Sequence, residues 1–298
     1  MTRITFHTPT KHTTVCGNPG IEQAMKKCVY LILALFCMLL AAGCKKNSAI
    51  DLKPNLNVAN DQVIASRMFT YVFRLLEKAV TDSSLSAVHH AMIDSAMVSL
   101  DSKGRVYTFS FAGSRSADHV ARAGVFVATI DSGFFHAGST IRVAFQGYAE
   151  DGHKVTGSDS IRCKGPQDGQ YLYDDIIPGA VISKDSVHSI HVSAVYRCAV
   201  TAVFISPGVK QTLITFGGNA GGASSAGHPF TAIITKTLET RENCPWISSG
   251  TITLSIPGAG IPTGTIEFMG KTSCNDEISY DFDGNTYHLW MQEKYLGN

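Results

Sequence analysis

The sequence predicts an all-β protein: an antiparallel, sandwich-like arrangement built as two related β units and preceded by one short helix. Three observations carry this reading. From about Ala91 onward, apolar and polar residues alternate with a period of two in short runs. Gly, Asp and Ser cluster between those runs, where hairpin turns need them. β-branched and aromatic residues fill the runs, and only one segment carries a sustained helical period.

Residues 1–24 are polar, hold Pro9 and Pro19, and show neither period. They read as a stretch upstream of the true start, because Met25-Lys26-Lys27 makes a far better opening for an export signal. Residues 25–43 combine two lysines, a continuous apolar run from Cys28 to Leu40 and the small residues Ala41, Ala42 and Gly43. That order is an export signal. The run is short for a membrane span, which needs about 20 residues. The segment Leu40-Ala41-Ala42-Gly43-Cys44 resembles the lipobox of bacterial lipoproteins. The resemblance implies cleavage before Cys44 and acylation of its thiol, with palmitate among the chains. The expected location is therefore the cell envelope, lipid-anchored at the outer membrane. Lys45 and Lys46 stand where some surface-directed lipoproteins carry acidic residues, so the periplasmic and surface faces both stay open.

Residues 44–60 read as a polar tether with Pro54 and several asparagines. Residues 61–165 are expected to form the helix and a first β unit, and residues 166–298 a second. Asp61 is placed to cap the helix, with Ile64, Met68, Val72, Leu75 and Ala79 as its apolar stripe and an end near Asp82. That stripe is expected to pack on a β core.

Strands are expected at Met92–Leu100, Val106–Phe111, Gly124–Ile130, Ser139–Tyr148 and Lys154–Arg162. Asp101–Gly104, Asp131–Gly133 and Glu150–Gly152 supply turns. Residues 163–186, with Pro166 and Pro178, read as looser. Strands resume at Val187–Tyr196, Ala199–Ile205, Thr212–Phe216, Phe230–Leu238, Thr251–Ile256, Gly264–Met269, Glu277–Phe282 and Thr286–Met291. The glycines from Gly217 to Gly222 read as a flexible hairpin connection. A similar order of segments recurs around Phe111 and Phe216, which points either to two related β units or to one long antiparallel sheet folded over itself.

From Cys44 onward there are 21 Lys+Arg against 23 Asp+Glu, a net charge of −2. A near-neutral chain with no basic stripe argues against nucleic acid as a partner. Beyond Cys44 there are four cysteines: Cys163, Cys198, Cys244 and Cys274. Four cysteines allow three pairings. Cys244–Cys274 is the favoured disulfide, since both lie in turn-rich parts of one region, and buried free thiols are the alternative. No metal or cofactor is expected: the chain holds no CxxC and no His pair at ligand spacing. Asp281-x-Asp283-Gly284-Asn285 reads as a hairpin turn rather than a calcium loop.

No Gly-x-Ser-x-Gly elbow is present. A glycosidase carboxylate pair leaves no mark in spacing. Trp246, Tyr280, Tyr287 and Trp290 suit core packing better than sugar stacking.

Three segments carry a wider resemblance. They are Gly124–Ser158 (GVFVATIDSGFFHAGSTIRVAFQGYAEDGHKVTGS), CPWISSGT from Cys244 with GTIEF from Gly264 and CND from Cys274, and YDFDGNTY from Tyr280. Together they resemble uncharacterised Bacteroidota-type all-β lipoproteins. The resemblance implies location and architecture, with no assigned activity. The expected function is a non-catalytic, membrane-anchored envelope module, partnered by the membrane and by a glycan or an envelope protein. The alternative is a lipid-anchored polysaccharide hydrolase or glycan-binding accessory protein.

Overall fold

A computed structural model describes residues 52–116, 118–206, 209–257, 263–269 and 274–291. Cys44, the signal segment 25–43 and residues 1–24 lie outside the described residues. The protein is antiparallel all-β with one main helix ahead of the sheet. Helix α1 spans Leu52–Thr81 and a short α2 spans Ser83–Val88.

Fourteen strands are described: β1 His90–Ile93, β2 Ala96–Leu100, β3 Val106–Arg115, β4 Ala121–Ile130, β5 Thr140–Glu150, β6 His153–Gln167 and β7 Gln170–Ser183. Then come β8 Ser189–Ser206, β9 Val209–Ala223, β10 Pro229–Arg241, β11 Cys244–Ser255, β12 Gly264–Phe268, β13 Glu277–Phe282 and β14 Asn285–Trp290. Each strand pairs with the next in sequence, so they form one meander in chain order.

Of the two arrangements open from the sequence, one long antiparallel sheet is the one observed, and it has no break at residue 165. That boundary falls inside β6, which pairs with β7 along nearly its whole length, so one sheet runs through. The segments that suggested related units lie on β3–β4–β5 and β9–β10–β11, two sets of three successive strands in the same sheet.

The helix is longer than expected and begins inside the stretch read as a tether. Pro54 is tolerated because it lies in the first turn, where backbone N–H groups have no intrahelical partner. Asp61 is therefore not a cap. Its Oδ2 accepts bonds from the backbone N–H and hydroxyl of Ser225, at 2.6 and 2.8 Å, in the β9–β10 connection. The cap belongs to α2, where Asp82 accepts from Leu85 N at 3.0 Å.

The apolar stripe of α1 is buried as expected, but so are Arg67, Thr70, Arg74 and Glu77 on other faces. The sheet curls around the helix. Phe69 meets Phe145 of β5, and Phe73 makes edge contacts with Tyr173 of β7 and Phe216 of β9 at 5.4 and 5.5 Å. Arg74 Nη1 donates to Cys244 O of β11 at 2.7 Å.

Two-residue turns set the register. Asp151-Gly152, Asp168-Gly169 and Asp283-Gly284 all hold positive φ at both positions, as a type I′ hairpin turn requires. Asp94-Ser95 divides Met92–Leu100 into β1 and β2, and Asp94 takes a φ of 50°. The stretch 163–186 is strand for most of its length. Pro166 lies beside the β6–β7 turn, and Pro178 falls at the register shift between Ile177 and Ala180 of the β7–β8 pairing. A proline can sit there because no ladder bond needs its missing N–H. Val187–Tyr196 and Ala199–Ile205 likewise join into the single strand β8.

The glycines from Gly217 to Gly222 belong to β9, with β8 on one side and β10 on the other. A Cβ on Gly222 would come within 1.8 Å of His191 O, so neighbouring backbone occupies the space of a side chain.

Candidate functional site

Among the described residues, three groups of polar side chains stand out in or beside the apolar interior. The first centres on Glu150, at the end of β5 and fully buried. Its Oε2 accepts from Arg67 Nε of α1 at 3.1 Å. Its Oε1 accepts from Arg122 Nε of β4 at 3.1 Å and from the Tyr148 hydroxyl at 2.6 Å. Arg122 also grips Asp118 with two bonds, 2.9 and 2.7 Å, in the bidentate geometry a guanidinium favours. Its guanidinium lies 3.6 Å over the ring of Tyr71. Burial pushes the Glu150 carboxyl up, but Arg122, Arg67 and the Tyr148 hydroxyl outweigh it and leave it below the ordinary range. Asp118 is held low in the same way, burial being outweighed by Arg122 and Ser116. An ionised carboxylate already saturated with donors has no proton to give. This network ties helix to sheet.

The second place is a carboxyl pair. Alternation along β6 and β7 turns Asp159 and Asp175 inward, each 1% exposed. Asp175 stands opposite Tyr196 of β8. Ser66 and Gln62 of α1 lie beside the Tyr196 hydroxyl, though neither makes a hydrogen bond of normal geometry with it. Burial raises both carboxyls, and repulsion from Asp159 raises Asp175 further. The pair is hidden in the sequence because residues 163–186, with their two prolines, read as loose rather than as strand. The inward alternation of Val155, Asp159, Ile161 and Cys163 is the available signal for one half of it.

The third place opens to solvent beside the last turns of α1. Glu77 and Glu242 line a cleft of about 360 Å³ with Asp82, Asp94 and Thr212. Burial, then the Glu242 charge, pushes Glu77 up to about 7. Glu242 Oε2 accepts from Thr212 N at 3.2 Å. Nearby, Lys78 Nζ reaches Asp94 Oδ1 at 2.9 Å. At the other end of α1, a cleft of about 200 Å³ is lined by Asn60, Asp61, His153, Asp185, His188 and Ser225. There the ring and backbone of His188, with Val187 N, hold Asp185 down at about 2.

Cys244 and Cys274 form a disulfide, while Cys163 and Cys198 are free and buried. Burial raises both free thiols, which keeps them protonated and unreactive. Trp246 and Tyr280 are buried, and Tyr280 stacks on Phe282 at 6.0 Å. Tyr287 and Trp290 are partly exposed. Cys44 lies outside the described residues.

Among the described residues, no grouping of three or more His, Cys, Asp or Glu side chains is set to hold a metal ion, and no helix is long and apolar enough to cross a membrane. Compared with known protein families, curated proteins and solved structures, the chain matches none.

Proposed function

We propose that this chain is a lipid-anchored envelope lipoprotein of the Bacteroidota type, whose folded part is a non-catalytic binding or structural module. The observation that carries the reading is the export-signal order of residues 25–43 ending in the lipobox-like Leu40–Cys44, with the fold following closely. The signal-like segment ends at Cys44, and α1 begins at Leu52. Seven intervening residues span at most about 25 Å when fully extended. A fold on so short a lead works close to the membrane, where its partner is a glycan or another envelope protein. Two further features support a module without chemistry. The interior of the sheet is filled by α1, and Glu150 and Asp118 are saturated with donors. Labelling cells with a fatty-acid analogue and mapping the mature N-terminus tests the anchor. A glycan array run beside a polysaccharide hydrolysis screen, on the full chain in detergent, tests the module.

One observation favours a second reading, a lipid-anchored polysaccharide hydrolase. Glu77, raised to about 7, shares a cleft with a second carboxyl group, that of the exposed Glu242, the two-carboxyl arrangement a glycosidase uses. Polysaccharide cleavage that disappears in Glu77→Gln would establish this reading and displace the first.

A further inference from the structure

We propose that Asp159 and Asp175, with Tyr196, Gln62 and Ser66 around them, form a binding site for a hard divalent cation of the Ca2+ class. All four carboxylate oxygens, the Tyr196 hydroxyl and Gln62 Oε1 are buried without a hydrogen bond to the protein that meets normal geometry. Burying charge in this way is costly unless a partner is supplied. Elsewhere in the same interior the partner is an arginine: two serve Glu150 and one serves Asp118. Among the described residues no lysine or arginine acts on Asp159 and Asp175; besides burial, the pair feels only each other, at hydrogen-bonding range, and the Ser160 N–H beside Asp159.

The donor set also selects the ion. It is made of oxygen alone: two carboxylates, one amide carbonyl, a phenol and the Ser66 hydroxyl. Such ligands suit Ca2+ or Mg2+ rather than a soft metal. Cys198 is nearby, but burial and both carboxylates push its thiol up, so it stays protonated. One proton shared between the acids would leave one negative charge in the core. One divalent cation cancels both charges and also engages Gln62 Oε1. Because Gln62 and Ser66 belong to α1 and the acids to β6 and β7, a bound cation fastens the helix to the sheet. Exchange should therefore be slow and require the helix to lift.

The test uses the full chain in detergent, equilibrated with Ca2+ or with EDTA, and measures metal content and Tm. The expected result is one equivalent of Ca2+ per chain that survives gel filtration, with a Tm that falls in EDTA. Tb3+ exchanged into the site should luminesce on tyrosine excitation, and Tyr196→Phe should lose most of that signal. Asp159→Asn/Asp175→Asn should bind no Ca2+ and show a Tm indifferent to EDTA. If that variant fails to fold, the wild-type Tm comparison and Tyr196→Phe still decide. Wild-type protein that carries no metal and melts identically in Ca2+ and EDTA overturns the proposal. A pH-dependent Tm in that metal-free protein would assign the pair to a shared proton instead.

Discussion

Arg67 Nε donates to Glu150 Oε2 at 3.1 Å, joining the enclosed helix to strand β5 across 83 positions of sequence. Both side chains are almost fully buried, 3% and 0% exposed. Such a pair is weak evidence for net stability, since desolvation opposes the attraction, but removing one partner strands the other.

Glu150→Gln should therefore lower the unfolding free energy by about 3–5 kcal/mol, because it leaves Arg67 and Arg122 without their shared charge. Arg67→Met should cost less, since Arg122 still pairs with Glu150. Urea denaturation of the two variants checks that order, and the reverse order would show that Glu150 is not the hub. Glu150 and Asp118 have folded pKa values below the ordinary range. Their contribution is present above the unfolded values of about 4 and is lost as pH falls through the lower folded values. Wild-type stability should accordingly drop below about pH 4, and Glu150→Gln should drop less.

Glu77 titrates in the opposite sense. Its folded pKa is raised to about 7 by burial and Glu242. Its contribution is full below the unfolded value of about 4.3 and is lost as pH rises through about 7. Glu77→Gln keeps a neutral side chain at every pH. Its Tm should exceed the wild-type value at pH 8, and the difference should shrink toward pH 5. Parallel Tm curves across that range would place Glu77 in an environment no different from water.

Gly222→Ala should destabilise the protein by about 2 kcal/mol or more, since its Cβ would lie 1.8 Å from His191 O and backbone would have to move. Gly104→Ala is the control. A Cβ there meets nothing within 4 Å, and only the φ of +68° opposes it, at about 1–2 kcal/mol. Equal losses in the two variants would mean that the glycine run is not packed between β8 and β10.

Reducing the Cys244–Cys274 bond should cost about 3–4 kcal/mol, the loop-closure value for a separation of 30 residues. The loss should be felt at α1 as well, because Arg74 Nη1 bonds to Cys244 O. Calorimetry with and without reductant measures the loss. Alkylation of the native, non-reduced chain should leave Cys163 and Cys198 unlabelled until the chain unfolds. A digest peptide linking Cys244 or Cys274 to Cys163 or Cys198 would show the pairing to be wrong.

Most strands are legible in the sequence because alternation and Asp-Gly turns are local signals. The ones it hides carry local signals that point elsewhere. Pro166 and Pro178 look like breakers until a turn flank and a register shift accommodate them. The Gly217–Gly222 run looks like a loop until the close approach of His191 O and Val195 O explains it. The helix is half legible. Its apolar stripe shows, but nothing local tells that Arg67 and Arg74 on the other side are also enclosed, because their partners lie at Glu150 and at Cys244. The Asp159–Asp175 pair is hidden for the same reason, since tertiary pairing alone makes two separate acids into one site.

Cys44→Ala should separate anchor from fold. If Cys44 is the lipidated residue, the wild-type protein takes up a fatty-acid label and its mature chain begins at Cys44. The variant should lose the label, because the acyl group attaches to that thiol, and should persist as an uncleaved precursor. Membrane fractionation alone does not decide the matter, since the uncleaved apolar run also holds a chain at the bilayer. Folding should be unchanged, since the contacts that hold α1, from Asp61–Ser225 to Arg74–Cys244, all lie among the described residues beyond Leu52. The variant and the wild type, both in detergent, should therefore share one Tm within about 1 °C, as expected for a change remote from the core. A label retained by Cys44→Ala, or a mature N-terminus mapped elsewhere, would remove the anchor from the account while leaving the helix-filled sheet as it stands.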